Sequence, residues 1–119
     1  MKTEKPWGQT IVLFRGEIPV KTGFTDLLVQ RIMIDGDQMT SLHVHKEKNE
    51  ILLVEKGTLY LKIDGEIEEL GKGERYFIEK GKVHQLQNLE QAVLEVLEVS
   101  LPYNEADFER LEDPYADER

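Results

Sequence analysis

The sequence predicts an all-β domain, and three observations support this fold class. Short runs rich in β-branched and aromatic residues recur along the chain, glycines separate them, and only the C-terminal end looks helical. The dipeptide Asp64-Gly65 lies between two such runs and predicts a two-residue hairpin turn, because both residues tolerate positive φ. Short strands at regular spacing favour a sandwich or barrel over alternating strands and helices.

The predicted strands cover Thr10–Phe14, Leu27–Asp35, Ile51–Val54, Leu59–Ile63, Ile67–Leu70, Tyr76–Ile78, Val83–Leu86 and Val93–Val99. The second of them carries one polar residue on each apolar face, Gln30 and Arg31, so one of the two should point into a barrel. Near the C-terminus, Asn104 is predicted to cap a short helix that runs to Leu111. The charged residues 112–119 are expected to form a loose tail or a dimer arm.

Length and composition limit the classes of function. The 119 residues suit a single domain, expected to cover residues 1–119. The net charge of −9, with no basic cluster, argues against a nucleic-acid partner. No apolar run approaches the roughly 18 residues of a membrane span. The absence of cysteine excludes thiolate metal ligands and fits a reducing compartment, so a cytoplasmic protein is expected.

The three histidines are the strongest candidates for a functional site. His43 and His45 lie two residues apart, so a strand would present both side chains on one face. Glu50 follows after a turn, and His84 opens a distant strand that a closed barrel could bring alongside. Three imidazoles and one carboxylate suit one divalent transition metal, which could be Mn²⁺, Fe²⁺, Co²⁺, Ni²⁺ or Zn²⁺.

An isolated His-x-His pair is weak evidence for a metal, but the surrounding spacing is more specific. The first motif is Gly36, six residues, His43-x-His45, four residues, Glu50, six residues and Gly57; the second is Gly73, five residues, Glu79-x-Gly81, two residues, His84, three residues and Asn88. These motifs resemble those of the cupin superfamily, with one extra residue before His43 and no proline at Glu79. The resemblance implies a double-stranded β-helix, also called a jelly-roll barrel, and usually a homodimer. It also implies one metal inside the barrel, held by His43, His45, Glu50 and His84.

Further segments resemble the small cupin domain of type II mannose-6-phosphate isomerases, namely Lys5–Gly8, Ser41-Leu42, Glu98-Val99 and the acidic ending Glu105–Tyr115. This resemblance implies a metal-dependent interconversion of mannose 6-phosphate and fructose 6-phosphate, or of a related small sugar phosphate. His43 stands where that family usually has glutamine, Gln30 stands where it tends to have lysine, and Tyr115-Ala116-Asp117 lacks its closing arginine. The last two departures remove positive charge that a sugar phosphate would use.

Three further residues are candidates for the site. Arg31 could anchor an anionic substrate or lie on the surface, and Tyr76 could hydrogen-bond a ligand or fill the barrel wall. Glu98 alternates with apolar residues, so it could face inward and transfer a proton, although an outward position is equally consistent. The loop 46–49 between the ligands is expected to lie in solvent at the rim of the pocket.

The sequence leaves three classes of function open. The first is the isomerase, and the second is a metal-dependent cupin of another class, such as a dioxygenase or a decarboxylase. The third is a non-catalytic module that binds a sugar or a metal. Oxygen consumption with bound iron would favour the second, and stabilisation by a ligand without turnover would favour the third. The fold cannot choose among them, since one fold hosts many activities.

Overall fold

The computed structural model describes residues 1–115, and within them eleven strands form two antiparallel sheets. The strands are β1 (Lys2–Lys5), β2 (Gly8–Val20), β3 (Gly23–Ile34), β4 (Leu42–Val44), β5 (Asn49–Lys56), β6 (Leu59–Ile63), β7 (Glu66–Leu70), β8 (Arg75–Ile78), β9 (His84–Gln87), β10 (Leu94–Leu101) and β11 (Glu109–Glu112). The first sheet has the order β1-β2-β3-β10-β5-β8, and the second has the order β11-β4-β9-β6-β7.

The two sheets enclose a shared core because the side chains of each strand alternate between two faces. In β6, Leu59, Leu61 and Ile63 are buried, while the residues between them are partly exposed. The same period of two runs through β5 and β10. The apolar inner faces of the sheets therefore pack on each other, as in a jelly roll. The all-β prediction is confirmed.

Two local features fix the connections between strands. Asp64 and Gly65 have φ values of 46° and 85° between the paired residues Ile63 and Glu66, so the predicted two-residue hairpin is confirmed. Gly36 follows β3 and lies directly against Gln91, just before β10. A Cβ atom on Gly36 would lie 2.2 Å from the carbonyl oxygen of Gln91, so only glycine permits this approach.

The prediction of a C-terminal helix is wrong. Asn104 accepts a hydrogen bond from the backbone N–H of Ala106 in a turn, and Glu109–Glu112 form β11 alongside β4. A helix of about eight residues is marginal in water, whereas pairing with β4 gives the same backbone groups partners in a sheet. Among residues 1–115 there is no helix that could cross a membrane.

The predicted loose tail or dimer arm, residues 112–119, falls partly outside the described residues, which end at Tyr115. Tyr115 packs against the hydrophobic core. Its hydroxyl donates to the side-chain oxygen of Gln38 and accepts from the backbone N–H of Met39 at 3.2 Å. The ending is therefore docked on its own chain up to this residue, and residues 116–119 lie outside the described part.

Candidate metal centre

Neighbouring strands of the second sheet bring the three histidines together. His43 on β4 is the register partner of His84 on β9, and their ring centroids lie 4.3 Å apart. His45 follows β4, with its ring 5.0 Å from that of His43 and 5.5 Å from that of His84. One nitrogen from each ring can be chosen so that all three lie within 4.8 Å of one another. The buried rings thus form a cluster that could bind a metal ion.

Backbone carbonyls orient each imidazole ring through its Nδ1 atom. His43 and His84 each donate to the carbonyl two residues earlier, at 2.8 and 2.9 Å, and His45 donates to the carbonyl of Asp107 at 2.6 Å. Because a carbonyl oxygen can only accept, Nδ1 carries the proton in every ring. In the neutral ring Nε2 then has a free lone pair, which is the form that a metal ligand needs.

The environment favours the neutral form for two of the rings. Burial lowers the pKa of His43 to about 3 and that of His45 to about 4. Burial acts in the same direction on His84, but the adjacent carboxylate of Glu50 outweighs it and raises the pKa of His84. Protons therefore compete with a metal mainly at the His84–Glu50 contact.

Glu50 extends from β5 of the first sheet toward the histidines. Its Oε1 lies 3.2 Å from Nε2 of His84 and 3.4 Å from Nε2 of His45. Within the described residues, Oε1 of Glu50 and Nε2 of His84 are buried without a hydrogen-bond partner. Divalent metals hold such ligands at about 2.0–2.2 Å, which separates two donors on one ion by about 3.0–3.5 Å. The spacing and the unpartnered atoms therefore fit a divalent metal.

A second buried carboxylate, Glu98, lies beside Glu50 on β10. Gln30 and Ser100 donate hydrogen bonds to it, and Nζ of Lys48 lies 3.7 Å from its Oε2. Burial alone would raise the pKa of Glu98, but the contact with Glu50, Lys48 and these donors holds it well below its usual range. Burial, followed by the charge of Glu98, raises the pKa of Glu50 to about 7. The two carboxylates thus have different proton affinities.

The structure separates the two polar residues of β3. Gln30 faces the interior and reaches Glu98, whereas Arg31 faces outward, with its Nε 2.9 Å from Oε1 of Glu55. The outward position of Arg31 corresponds to the surface alternative, and the anchoring of a substrate by this residue stays a prediction. Tyr76 on β8 is partly buried and packs against the hydrophobic core, which matches its alternative role in the barrel wall.

The expectation that the whole loop 46–49 lies in solvent is wrong for Lys48. This side chain is only 6% exposed, and its Nζ lies 3.3 Å from the hydroxyl of Ser100. The inward alternation of Glu50 and Leu52 on β5, extended two residues back, predicts an inward Lys48. That periodic signal was available in the sequence.

The C-terminal segment supplies two contacts that the sequence analysis did not predict. The Asp107 carboxylate accepts hydrogen bonds from the backbone N–H groups of residues 46, 47 and 48, at 2.7, 3.0 and 3.1 Å. Burial would raise its pKa, but these donors lower it. The Phe108 ring stacks on His43, with centroids 5.0 Å apart. These contacts link residues about 60 positions apart, so no local pattern indicates them.

The fold is a jelly-roll barrel, and three histidines and a carboxylate in its interior could bind a metal ion. Residues 30–100 match the Cupin domain family, which is well over half of the chain. The chain therefore belongs to the cupin domain family, and the resemblance found in its two motifs is confirmed.

Two curated relatives are mannose-1-phosphate guanylyltransferases. The chain is 32% identical over 113 residues to ManC of Salmonella typhimurium, covering 93% of this chain and 22% of that protein. It is 26% identical over 95 residues to the enzyme of Sinorhizobium fredii, covering 80% of this chain and 17% of that protein. The chain thus spans about a fifth of the length of these relatives.

Solved structures support the fold. KdgF from Halomonas sp. superimposes with a TM-score of 0.73 at 19% identity, covering 89% of each chain. A protein with a double-stranded β-helix domain from Klebsiella pneumoniae gives 0.72 at 21%, covering 92% of this chain and 81% of the other. A candidate sugar phosphate isomerase from Acidithiobacillus ferrooxidans gives 0.61 at 17%, covering 75% and 60%. At these identities the likeness concerns the fold alone.

Proposed function

We propose that this chain is a metal-dependent aldose–ketose isomerase of a small phosphorylated sugar, of the mannose 6-phosphate and fructose 6-phosphate type. The observation that carries the proposal is the convergence of buried donor atoms from His43, His45, His84 and Glu50. The names of the curated relatives concern a mannose phosphate, which supports a sugar phosphate as the ligand. A cytoplasmic location belongs to the same proposal, supported by the absence of cysteine.

In this proposal the four side chains hold one divalent transition metal. The nitrogen and carboxylate donors suit Mn²⁺, Fe²⁺, Co²⁺, Ni²⁺ or Zn²⁺. The metal would act as a Lewis acid toward the oxygens at C1 and C2 of the open-chain sugar. The tautomers imposed by the three carbonyls would keep the Nε2 atoms ready for it without further rearrangement.

Glu98 is the proposed group for proton transfer. The isomerisation moves one proton from C2 to C1 and one between the two oxygens, so atoms and electrons balance within the substrate. A buried carboxylate beside the ligand set can remove and return the carbon-bound proton. Gln30 and Ser100 orient this carboxylate, and Lys48 supplies a positive charge inside the barrel.

The direct test is turnover of mannose 6-phosphate by protein reconstituted separately with each of the five metals. Fructose 6-phosphate should form with at least one metal, and His84→Ala should abolish it together with metal binding. Glu50→Gln should lower metal affinity at least about 10-fold, whereas Glu55→Gln, a matched change on the outer face of the same strand, should not. Confirmed metal binding without turnover by any metal form would reject the isomerase.

One observation favours a second candidate of another reaction class. His43 replaces the glutamine that is usual in the isomerases, which gives a set of three histidines and one carboxylate. Such a set with open coordination positions also suits a dioxygenase or a decarboxylase. Oxygen consumption by the iron-loaded protein would support this candidate. Stabilisation by sugar phosphates without any turnover would instead support a non-catalytic binding module.

We also propose a homodimer formed by the outer face of the first sheet. The strand register aligns one uncharged row across five strands, consisting of Phe14, Val29, Val99, Ile51 and Phe77. Phe77 is 54% exposed and Phe14 45%, although the chain carries a net charge of −9. A second copy related by a two-fold axis would cover this row with the same uncharged row.

The oligomeric state tests this dimer. Light scattering at micromolar concentration should give twice the mass of one chain, and Phe77→Glu should give a single-chain mass because it places a charge within the apolar contact. Ile67→Glu, at an exposed apolar residue of the second sheet, is the matched control and should leave the dimer intact. A monomeric wild-type protein would reject the proposal.

A further inference from the structure

The three histidines of the candidate site are oriented in two different ways. His43 and His84 donate to carbonyls only two residues away, so their orientation is set locally. His45 instead donates to the carbonyl of Asp107, 62 residues later in the chain. The orientation and tautomer of this single ring therefore depend on the position of the C-terminal segment.

Asp107 also holds the loop that joins two of the proposed ligands. Its carboxylate accepts three backbone hydrogen bonds from residues 46–48, between His45 and Glu50. This loop joins His45 to Glu50, whose Nε2 and Oε1 atoms lie 3.4 Å apart. Asp107 thus restrains the His45 ring through its backbone carbonyl. Through its carboxylate it restrains the loop between His45 and Glu50.

The rest of the segment is docked along the same ligand-bearing strand. Glu109 and Arg110 pair with β4 at Val44 and His43. The Phe108 ring stacks on His43 and lies 5.5 Å from the ring of His45. The segment therefore covers one side of the imidazole cluster.

We infer that Asp107 is a positioning residue of the metal centre, and that docking of the segment 107–112 sets the metal affinity of the site. The inference rests on the proposed metal binding but is independent of which reaction the metal serves. Partners that orient metal ligands typically contribute about 10–100-fold to affinity. Without Asp107 the loop 46–49 gains freedom, and the ring of His45 can rotate or change tautomer.

The first test examines the metal-free protein, so that it does not depend on metal binding. Nitrogen chemical shifts of ¹⁵N-labelled imidazoles, recorded at about pH 8, report which ring nitrogen carries the proton. In the wild type all three histidines should be protonated on Nδ1. Asp107→Ala should shift His45 toward a mixture of tautomers, and His43 and His84 should keep theirs.

The second test measures Co²⁺ affinity and the visible absorption of bound Co²⁺. Asp107→Ala should lower affinity about 10–100-fold and alter the absorption, since the coordination geometry changes. Asp107→Asn keeps one acceptor oxygen, so its loss should be smaller. Glu105→Ala removes a carboxylate only two residues away, whose ion-pair partner Arg15 is distant in sequence from every proposed ligand, and should bind Co²⁺ like the wild type.

The inference fails if folded Asp107→Ala keeps the His45 tautomer and binds Co²⁺ within twofold of the wild type. It also fails if Asp107→Ala and Asp107→Asn disturb all three rings equally, because Asp107 would then serve only general folding. A wild-type protein that binds no Co²⁺ would reject the proposed metal function, and the tautomer measurement would still decide the positioning role.

Discussion

The two halves of β10 are equally buried but face different interiors. Leu94 and Val96 are fully enclosed in the apolar core, while Glu98 and Ser100, next along the same face, lie in a polar cluster beside the histidines. The alternation of the strand dictates which residues point inward, and position along the barrel dictates the chemistry they meet. The barrel thus has an apolar half that stabilises the fold and a polar half that forms the candidate site.

Truncation in the apolar half should have the largest effect on stability. Leu94→Ala should lower the free energy of unfolding by about 2–5 kcal/mol, because it removes contacts and leaves a cavity. Denaturant titration measures this loss, and metal affinity of the folded protein should stay unchanged. Ser100→Ala, at an equally buried position of the polar half, is the comparison and should cost less than Leu94→Ala. Equal losses would contradict the division into two halves.

Lowering the pH should change the free energy of unfolding through the polar half of the barrel and not through the apolar half. The folded pKa values of His43 and His45, about 3 and 4, lie below the ordinary value near 6.5, so the unfolded chain takes up protons first as the pH falls. Stability from these rings is present above pH 6.5 and lost below it. Glu50, with its pKa raised to about 7, holds a proton in the folded state, and His84, whose pKa is also raised, takes one up early; both oppose this loss.

The net effect should be a destabilisation of the metal-free protein by roughly 1–3 kcal/mol between pH 7 and pH 4.5, since one pKa unit corresponds to about 1.4 kcal/mol. Denaturant titrations at several pH values across this range give the slope of the free energy of unfolding against pH. Glu50→Gln removes the opposing proton uptake, so its slope should be steeper than that of the wild type. The free energy of unfolding of Leu94→Ala should change with pH as steeply as that of the wild type. A different pH dependence in this variant would mean that the apolar half contributes to it.

The smallest effect is expected on the outer face, which belongs to neither half. Arg31→Ala removes a partly exposed ion pair with Glu55 and should change the free energy of unfolding by the smallest value of these variants. Thermal or denaturant unfolding checks this value, and 1 M salt should reduce the difference further. Loss of metal binding in this variant would contradict the outward position of Arg31.

The features predicted correctly from the sequence are those encoded in short, periodic patterns. The hairpin at Asp64-Gly65 depends on two residues that accept positive φ, and the strands depend on alternation over a few residues. The convergence of His43 and His84 needed the family motif, because local pattern alone cannot tell which strands pair. The inward position of Lys48 follows from the alternation of β5, but the charged composition of its loop led to the prediction that it lies in solvent.

The features that the sequence did not predict depend on contacts between distant residues. Asn104 and the acidic residues after it have the composition of a helix start, yet pairing with β4 decides the structure of this segment. The hydrogen bonds of Asp107 join the ending to residues about 60 positions earlier. Whether Gln30 or Arg31 faces inward likewise depends on the register of β3 with β10.

The strand β11 has a further consequence for the solution behaviour of the protein. It occupies the outer side of β4, whose free backbone groups would otherwise form an open edge able to pair with another chain. The strand that replaces this edge is exposed and mostly charged, with Glu109, Arg110 and Glu112. Charged edges resist strand addition. The ending therefore also protects the barrel against edge-to-edge aggregation.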